Sequence, residues 1–151
     1  MLQIISQNLI RAALQCATQL QVAVNISIVD NGANQVAFQR MDNAPLGSID
    51  VAHKKARSAV FFGTPTDALG QLVSEQQLHG FAETNNGLIL FAGGEPIFKA
   101  GHQPNSEQKP LIGGIGISGG SAMQDKEIAL FAIKHYQTTQ ISNDYQPEEQ
   151  L

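Results

Sequence analysis

The first twenty residues place Ile5, Leu9, Ala12, Ala13, Cys16 and Leu20 three and four positions apart, the spacing of one apolar helix stripe. The period then changes. Val22, Val24, Ile26 and Ile28 alternate with smaller or more polar residues, which predicts a strand running to Asp30. Asp30-Asn31-Gly32 carries turn chemistry, since Asn and Gly tolerate positive φ, and Gln35 to Met41 returns as a second strand to form a hairpin. After a loop to Gly47, Ser48 reads as the N-cap of a helix reaching Val60 or Phe61, with Asp50 in its first turn. Thr64 to Asp67 breaks that helix, and Ala68 to Phe81 reads as a shorter, irregular one.

Three further strands are expected downstream. Gly87 to Phe91 is an apolar run, Gly93-Gly94 a tight turn, and Pro96 to Lys99 the returning strand. His102 to Lys109 is a polar loop, Leu111 to Ser118 a glycine-laced strand. A closing helix buries Ile128, Ala129, Ala132, Ile133 and Tyr136. The order predicts an α+β domain with a mostly antiparallel, five-stranded sheet flanked by helices, a profilin-like layering. Residues 1–142 read as a single domain and residues 143–151 as a polar tail.

Composition narrows the function classes. The 151 residues are 42% hydrophobic and 15% charged, enough apolar material for a core and too little charge for a disordered chain. The net charge of -4 gives no general attraction to nucleic acid or an anionic membrane, and the densest basic cluster is only Lys54-Lys55 with Arg57. One cysteine, Cys16, permits no intrachain disulfide. The N-terminus lacks the basic start and unbroken apolar stretch of a secretory signal, and no apolar run approaches ~20 residues, so the expected location is the cytoplasm.

Candidate chemistry is sparse. Gly114-x-Gly116-x-x-Gly119 has dinucleotide spacing, but the glycines lie inside a strand and no acidic residue on a second parallel strand follows. Bare backbone is the better reading, letting a helix, another subunit or a flat ligand lie against that strand. No histidine pair has zinc-site spacing; Glu75, His79 and Glu83 recur every fourth residue and read chiefly as a solvated helix face. Arg40 ends a strand, and Lys55 lies on an alanine-rich helix where its charge needs a partner, either Asp42, Asp125 or a ligand carboxylate. No nucleophile elbow surrounds Ser118.

The segment VAVNISIVDNGANQVAFQRMDNAPLGSIDVAHKKARSAVFF resembles the GlcG/HbpS family, which is also found as the C-terminal domain of PduO-type proteins. The motifs that carry the resemblance are Val29-Asp30, Gly32, Arg40-Met41-Asp42-Asn43-Ala44, Ser48, Asp50, Ala52 and Lys55-Ala56. Gly93-Gly94-Glu95-Pro96-Ile97, Ile112 through Gly120, and Asp125 continue it, over residues 3 to 136 in all. Two departures stand out: Lys55-Ala56-Arg57-Ser58-Ala59 has serine where the family has threonine, and His79 to Asn86 matches no family motif.

The resemblance implies a homo-oligomer that binds haem or a related tetrapyrrole, a binding module rather than a self-sufficient enzyme. The expected site is a cleft between the glycine strand and the Ser48 helix. It is assigned Arg40, Asp42, Ser48, Lys55, Gly114, Gly116, Ser118 and Asp125, with Arg40 or Lys55 meeting propionates and His53 or His102 reaching iron. The competing expectations are an enzyme or accessory subunit acting on a small hydroxy acid or diol through Lys55, Asp42 and Asp125, and a structural oligomer without ligand.

Overall fold

The computed structural model describes residues 2–101 and 110–144. Four helices, α1 (Leu2–Gln19), α2 (Ser48–Phe62), α3 (Thr66–Glu75) and α4 (Ala122–Asp144), pack around four strands, β1 (Asn25–Asp30), β2 (Gln35–Arg40), β3 (Gly94–Phe98) and β4 (Leu111–Ser118). The strands form one antiparallel sheet in the order β2-β1-β4-β3. The α+β class and the flanking helices therefore hold, but the sheet has four strands among the described residues.

The strand expected at Gly87 to Phe91 does not form, because its backbone groups are engaged elsewhere. Leu88 donates to the Ala82 carbonyl, Ile89 donates to the Ser58 hydroxyl, and the Phe91 carbonyl accepts from Thr66. The apolar run lies under α3, whose Gly70 sits so close to Leu90 that a Cβ there would collide with the Leu90 carbonyl. The second hairpin partner is thus β4, paired with β3 from Gly94↔Gly116 to Phe98↔Leu111. Pro96 sits in β3, an edge strand, where a missing N–H is tolerated. His102 and the polar loop to Lys109 lie outside the described residues, as do residues 145–151; α4 runs to Asp144, past the expected start of the tail at Asn143.

Two local details differ from the sequence expectations. In the first turn the left-handed backbone falls on Ala33 (φ 63) rather than on Asn31 or Gly32. The Asp30 carboxylate explains this, accepting the N–H groups of Gly32 and Asn34 at 2.9 Å each and so holding the middle of the turn. Ser48 is the first residue of α2 rather than its cap; Gly47 holds the cap position with no side-chain hydrogen bond. By contrast α4 opens on a reciprocal cap, Ser121 Oγ accepting from Gln124 N and Gln124 Oε1 accepting from Ser121 N.

The two sheet faces are unlike. On one, α1 and α4 cover Val24, Ile26, Ile28, Ile97, Ile115 and Ile117 with Leu9, Ala12, Ala13, Ile128, Ala129 and Ala132. On the other, α2 lies across β1, β4 and β3, with Val29, Ala56 and Val60 as a small second core. Here the glycines decide the geometry. A Cβ on Gly116 would stand 1.9 Å from the Ala52 carbonyl oxygen, and one on Gly114 would stand 2.7 Å from the Ala56 oxygen. The helix backbone rests directly on the strand.

Candidate functional site

The contact between α2 and β4 closes the cleft expected between them. Gly114 and Gly116 are buried against the backbone of α2, so the bare strand receives a helix of its own chain and leaves no slot for a flat guest. Ser118 is buried at the end of β4, opposite Asn25.

Lys55 and Asp125 meet in the interior. The ammonium donates to Asp125 Oδ2 at 2.9 Å and to the Ile117 carbonyl at 2.8 Å, and Asp125 Oδ1 accepts from Gly120 N at 2.9 Å. Both side chains are at most 3% exposed. Burial pushes the lysine below its usual pKa and the aspartate above its own, and the pairing opposes both shifts. Asp125 is thus the partner of Lys55; Asp42 is exposed in the turn after β2. The ion pair ties α2 to the start of α4 and is buried.

Beside it lies a charge cluster that sequence reading missed. Glu95, on β3, is 4% exposed, and its Oε1 has no hydrogen-bond partner. Lys126 is 3.7 Å from that oxygen and 2.6 Å from Asp67 Oδ2. Burial pushes the Glu95 carboxyl up to about 7 from 4.5, so the folded state holds a proton that the unfolded chain releases. Stability should therefore fall as pH rises from about 4.5 to about 7, by up to ~3 kcal/mol, and stay at the lower level above that. Denaturant unfolding at pH 5 and pH 8 reads the difference. Glu95→Gln should flatten it; an undiminished difference in that variant removes Glu95 as the source.

The open space lies at the other edge of the sheet. Where α2 leaves β2 uncovered, a groove of about 620 Å³ is lined by Gln35 and Phe38 of β2, Leu46 of the loop, and Ile49, Asp50 and His53 of α2. That volume falls within the ~300–1,000 Å³ of ordinary cofactor pockets. His53 Nδ1 lies 3.2 Å from the hydroxyl of Ser27, a buried residue of β1. Desolvation first, then the nearby Arg57, lower the His53 pKa while Asp50 opposes the shift, so the surroundings favour the neutral ring. Asp50 at the rim is already paired with Lys54 at 3.0 Å. Arg40, exposed on β2, shares the strand face of Phe38 two residues away, and Ser48 begins the helix that walls the groove.

Of the residues singled out from sequence, the structure thus places His53 in the groove, leaves Arg40 and Ser48 on the strand and helix that flank it, and buries Lys55, Asp125, Gly114, Gly116 and Ser118 elsewhere. Glu75, His79 and Glu83 do not share a helix face, because α3 ends at Glu75 and a separate 3-10 turn covers Phe81–Glu83. Among the described residues no group of three or more His, Cys, Asp or Glu side chains could hold a metal ion. Nor is any helix among them long and apolar enough to cross a membrane. Ser27 was missed, although a serine inside an aliphatic strand is itself a signal that something polar faces it.

Residues 5–134 match the family model described as haem degrading protein HbpS-like. The chain belongs to this HbpS-like family. It is 41% identical over 127 residues to corrinoid adenosyltransferase PduO of Salmonella typhimurium, covering 83% of this chain and 35% of that protein. The chain therefore spans about a third of the length of that relative. It is also 33% identical over 119 residues to an uncharacterized 15.0 kDa protein of Citrobacter freundii, with 78% of each chain covered. Among solved structures, the Klebsiella pneumoniae protein ORFY superposes with a TM-score of 0.80 at 33% identity, covering 89% of this chain and 88% of that one. A PduOC:heme complex superposes at 0.71 and 37% identity, covering 87% of this chain and 91% of that one.

Proposed function

We propose that this HbpS-like chain binds haem, or a closely related tetrapyrrole, in the groove between β2 and α2, with His53 as an axial ligand. The observation that carries this reading is an imidazole whose Nδ1 is held by Ser27 at 3.2 Å in a largely apolar groove, which leaves Nε2 to meet a ligand. The residues present fit such a group. Phe38, Leu46 and Ile49 offer apolar surface for a macrocycle, and Arg40, exposed at the end of β2 two residues beyond Phe38, would offer a guanidinium for a propionate. The solved complex of PduOC with heme, on the same fold at 37% identity, supports the same ligand class. Haem would supply the redox and ligand-exchange chemistry; this chain's side chains hold and orient it.

Addition of haemin to the purified chain should produce a Soret band, and His53→Ala should weaken binding and move that band. An unchanged spectrum and affinity in that variant would remove His53 as the ligand. The rival enzymatic reading loses two of its three charged groups, since Lys55 and Asp125 are sealed in the interior. Self-association in the cytoplasm remains part of the proposal. Exposed Met123, Leu130 and Phe131 along the outer side of α4 support a homo-oligomer, because large apolar side chains gathered on one surface favour contact with another protein.

A further inference from the structure

We propose that Ser27 is a positioning residue for His53, fixing the orientation of its ring and, as a neutral partner, keeping it an exchangeable axial ligand. This inference rests on the haem reading above and adds what governs the strength of the iron–histidine bond.

The geometry is set by three elements. Ser27 lies in β1 between Ile26 and Ile28 and is fully buried. Leaving its hydroxyl unpaired there would cost about 1–3 kcal/mol. Its side-chain hydrogen bond is to His53 Nδ1 at 3.2 Å. Across the sheet, Ser27 is in register with Gly116 of β4, and Gly116 is the glycine on which the Ala52 carbonyl of α2 rests. The missing side chain at Gly116 lets α2 descend onto the sheet, and the next residue of the helix, His53, is thereby brought within reach of Ser27.

The chemistry follows from what Ser27 is and is not. A hydroxyl both donates and accepts, so it can serve either neutral tautomer. When Nε2 gives its lone pair to iron, Nδ1–H donates to Ser27 Oγ. A carboxylate in this place would draw on that proton and strengthen the imidazole as a donor. Here the carboxylate one turn back on the helix, Asp50, is committed to Lys54 and largely exposed. An axial ligand of this kind suits reversible holding of haem better than cleavage of an oxygen–oxygen bond.

The test is haemin titration and redox potentiometry of the full chain with Ser27→Ala, Ser27→Thr, Ser27→Val and His53→Ala. Ser27→Ala should weaken haemin binding by about 10–100-fold, as loss of such supporting partners does. It should also raise the ferric–ferrous midpoint potential, because an unbonded Nδ1–H makes a poorer donor. Thr and Val have nearly the same shape, so they separate hydroxyl chemistry from packing: Thr should behave like the parent and Val like Ala. Val matching Thr in affinity and potential overturns the role of Ser27. So does Ser27→Ala matching the parent while His53→Ala changes both quantities, an outcome that leaves the haem reading intact. His53→Ala without effect overturns both proposals.

Discussion

Gly116→Ala should destabilise the chain by at least ~3 kcal/mol, enough to prevent folding in a marginally stable domain. The new methyl would stand 1.9 Å from the Ala52 carbonyl oxygen and 2.6 Å from the Ala56 nitrogen. Both are backbone atoms of α2, so no side-chain rotamer can relieve the overlap; the helix must rise from the sheet. That movement would also pull on Lys55 and separate His53 from Ser27. Gly47→Ala is the control, since a Cβ there meets nothing within 4 Å and the backbone is already right-handed, at φ -61. Its effect should stay below ~1 kcal/mol. Urea unfolding of the two variants side by side checks the contrast, and comparable losses at both positions would refute the close-contact account.

Lys55→Ala should cost about 3–5 kcal/mol, the usual consequence of removing one partner from a buried pair. The loss comes from Asp125, which is left 2% exposed and without its cation. Lys55→Met should recover little, since it restores the volume but not the charge. The double variant Lys55→Met with Asp125→Leu should be markedly more stable than Lys55→Ala. It still gives up the bonds to the Ile117 carbonyl and to Gly120 N, at roughly 1–2 kcal/mol together. Thermal and denaturant unfolding of the set measures these terms. A double variant no better than Lys55→Ala would mean that the stranded carboxylate is not the cause.

Much of this fold could be read from periodicity. The stripe of α1 and the alternation of β1 each have a single dominant spacing, and Ile128, Ala129, Ala132 and Tyr136 of α4 join them in one core although that helix also carries apolar side chains on its outer side. Leu88, Ile89 and Leu90 misled because a short apolar run looks alike whether it pairs as a strand or threads beneath a helix. The hydroxyls of Ser58 and Thr66 and the close approach of Gly70, all remote in sequence, help to distinguish the two. The glycine strand was legible as bare, but bareness does not name its occupant, and the occupant is α2. Lys55 announced its need for a partner without specifying Asp125. Glu95 sits in a Gly-Gly-Glu-Pro-Ile segment that reads as turn and strand, and only the arrival of α3 and α4 surrounds it with Asp67 and Lys126.

The central strand pair joins distant parts of the chain, since β1 occupies Asn25–Asp30 and β4 occupies Leu111–Ser118. During synthesis, the inner edge of β1 must wait for about eighty further residues, from Asp30 to Leu111, to emerge before its neighbour exists. The amino-terminal hairpin therefore leaves the ribosome with half its ladder unmade, and ordering it carries the loop-closure cost of the whole intervening stretch. A nascent chain halted before Leu111 has no means of completing the interior, so this sheet cannot close until β4 has emerged.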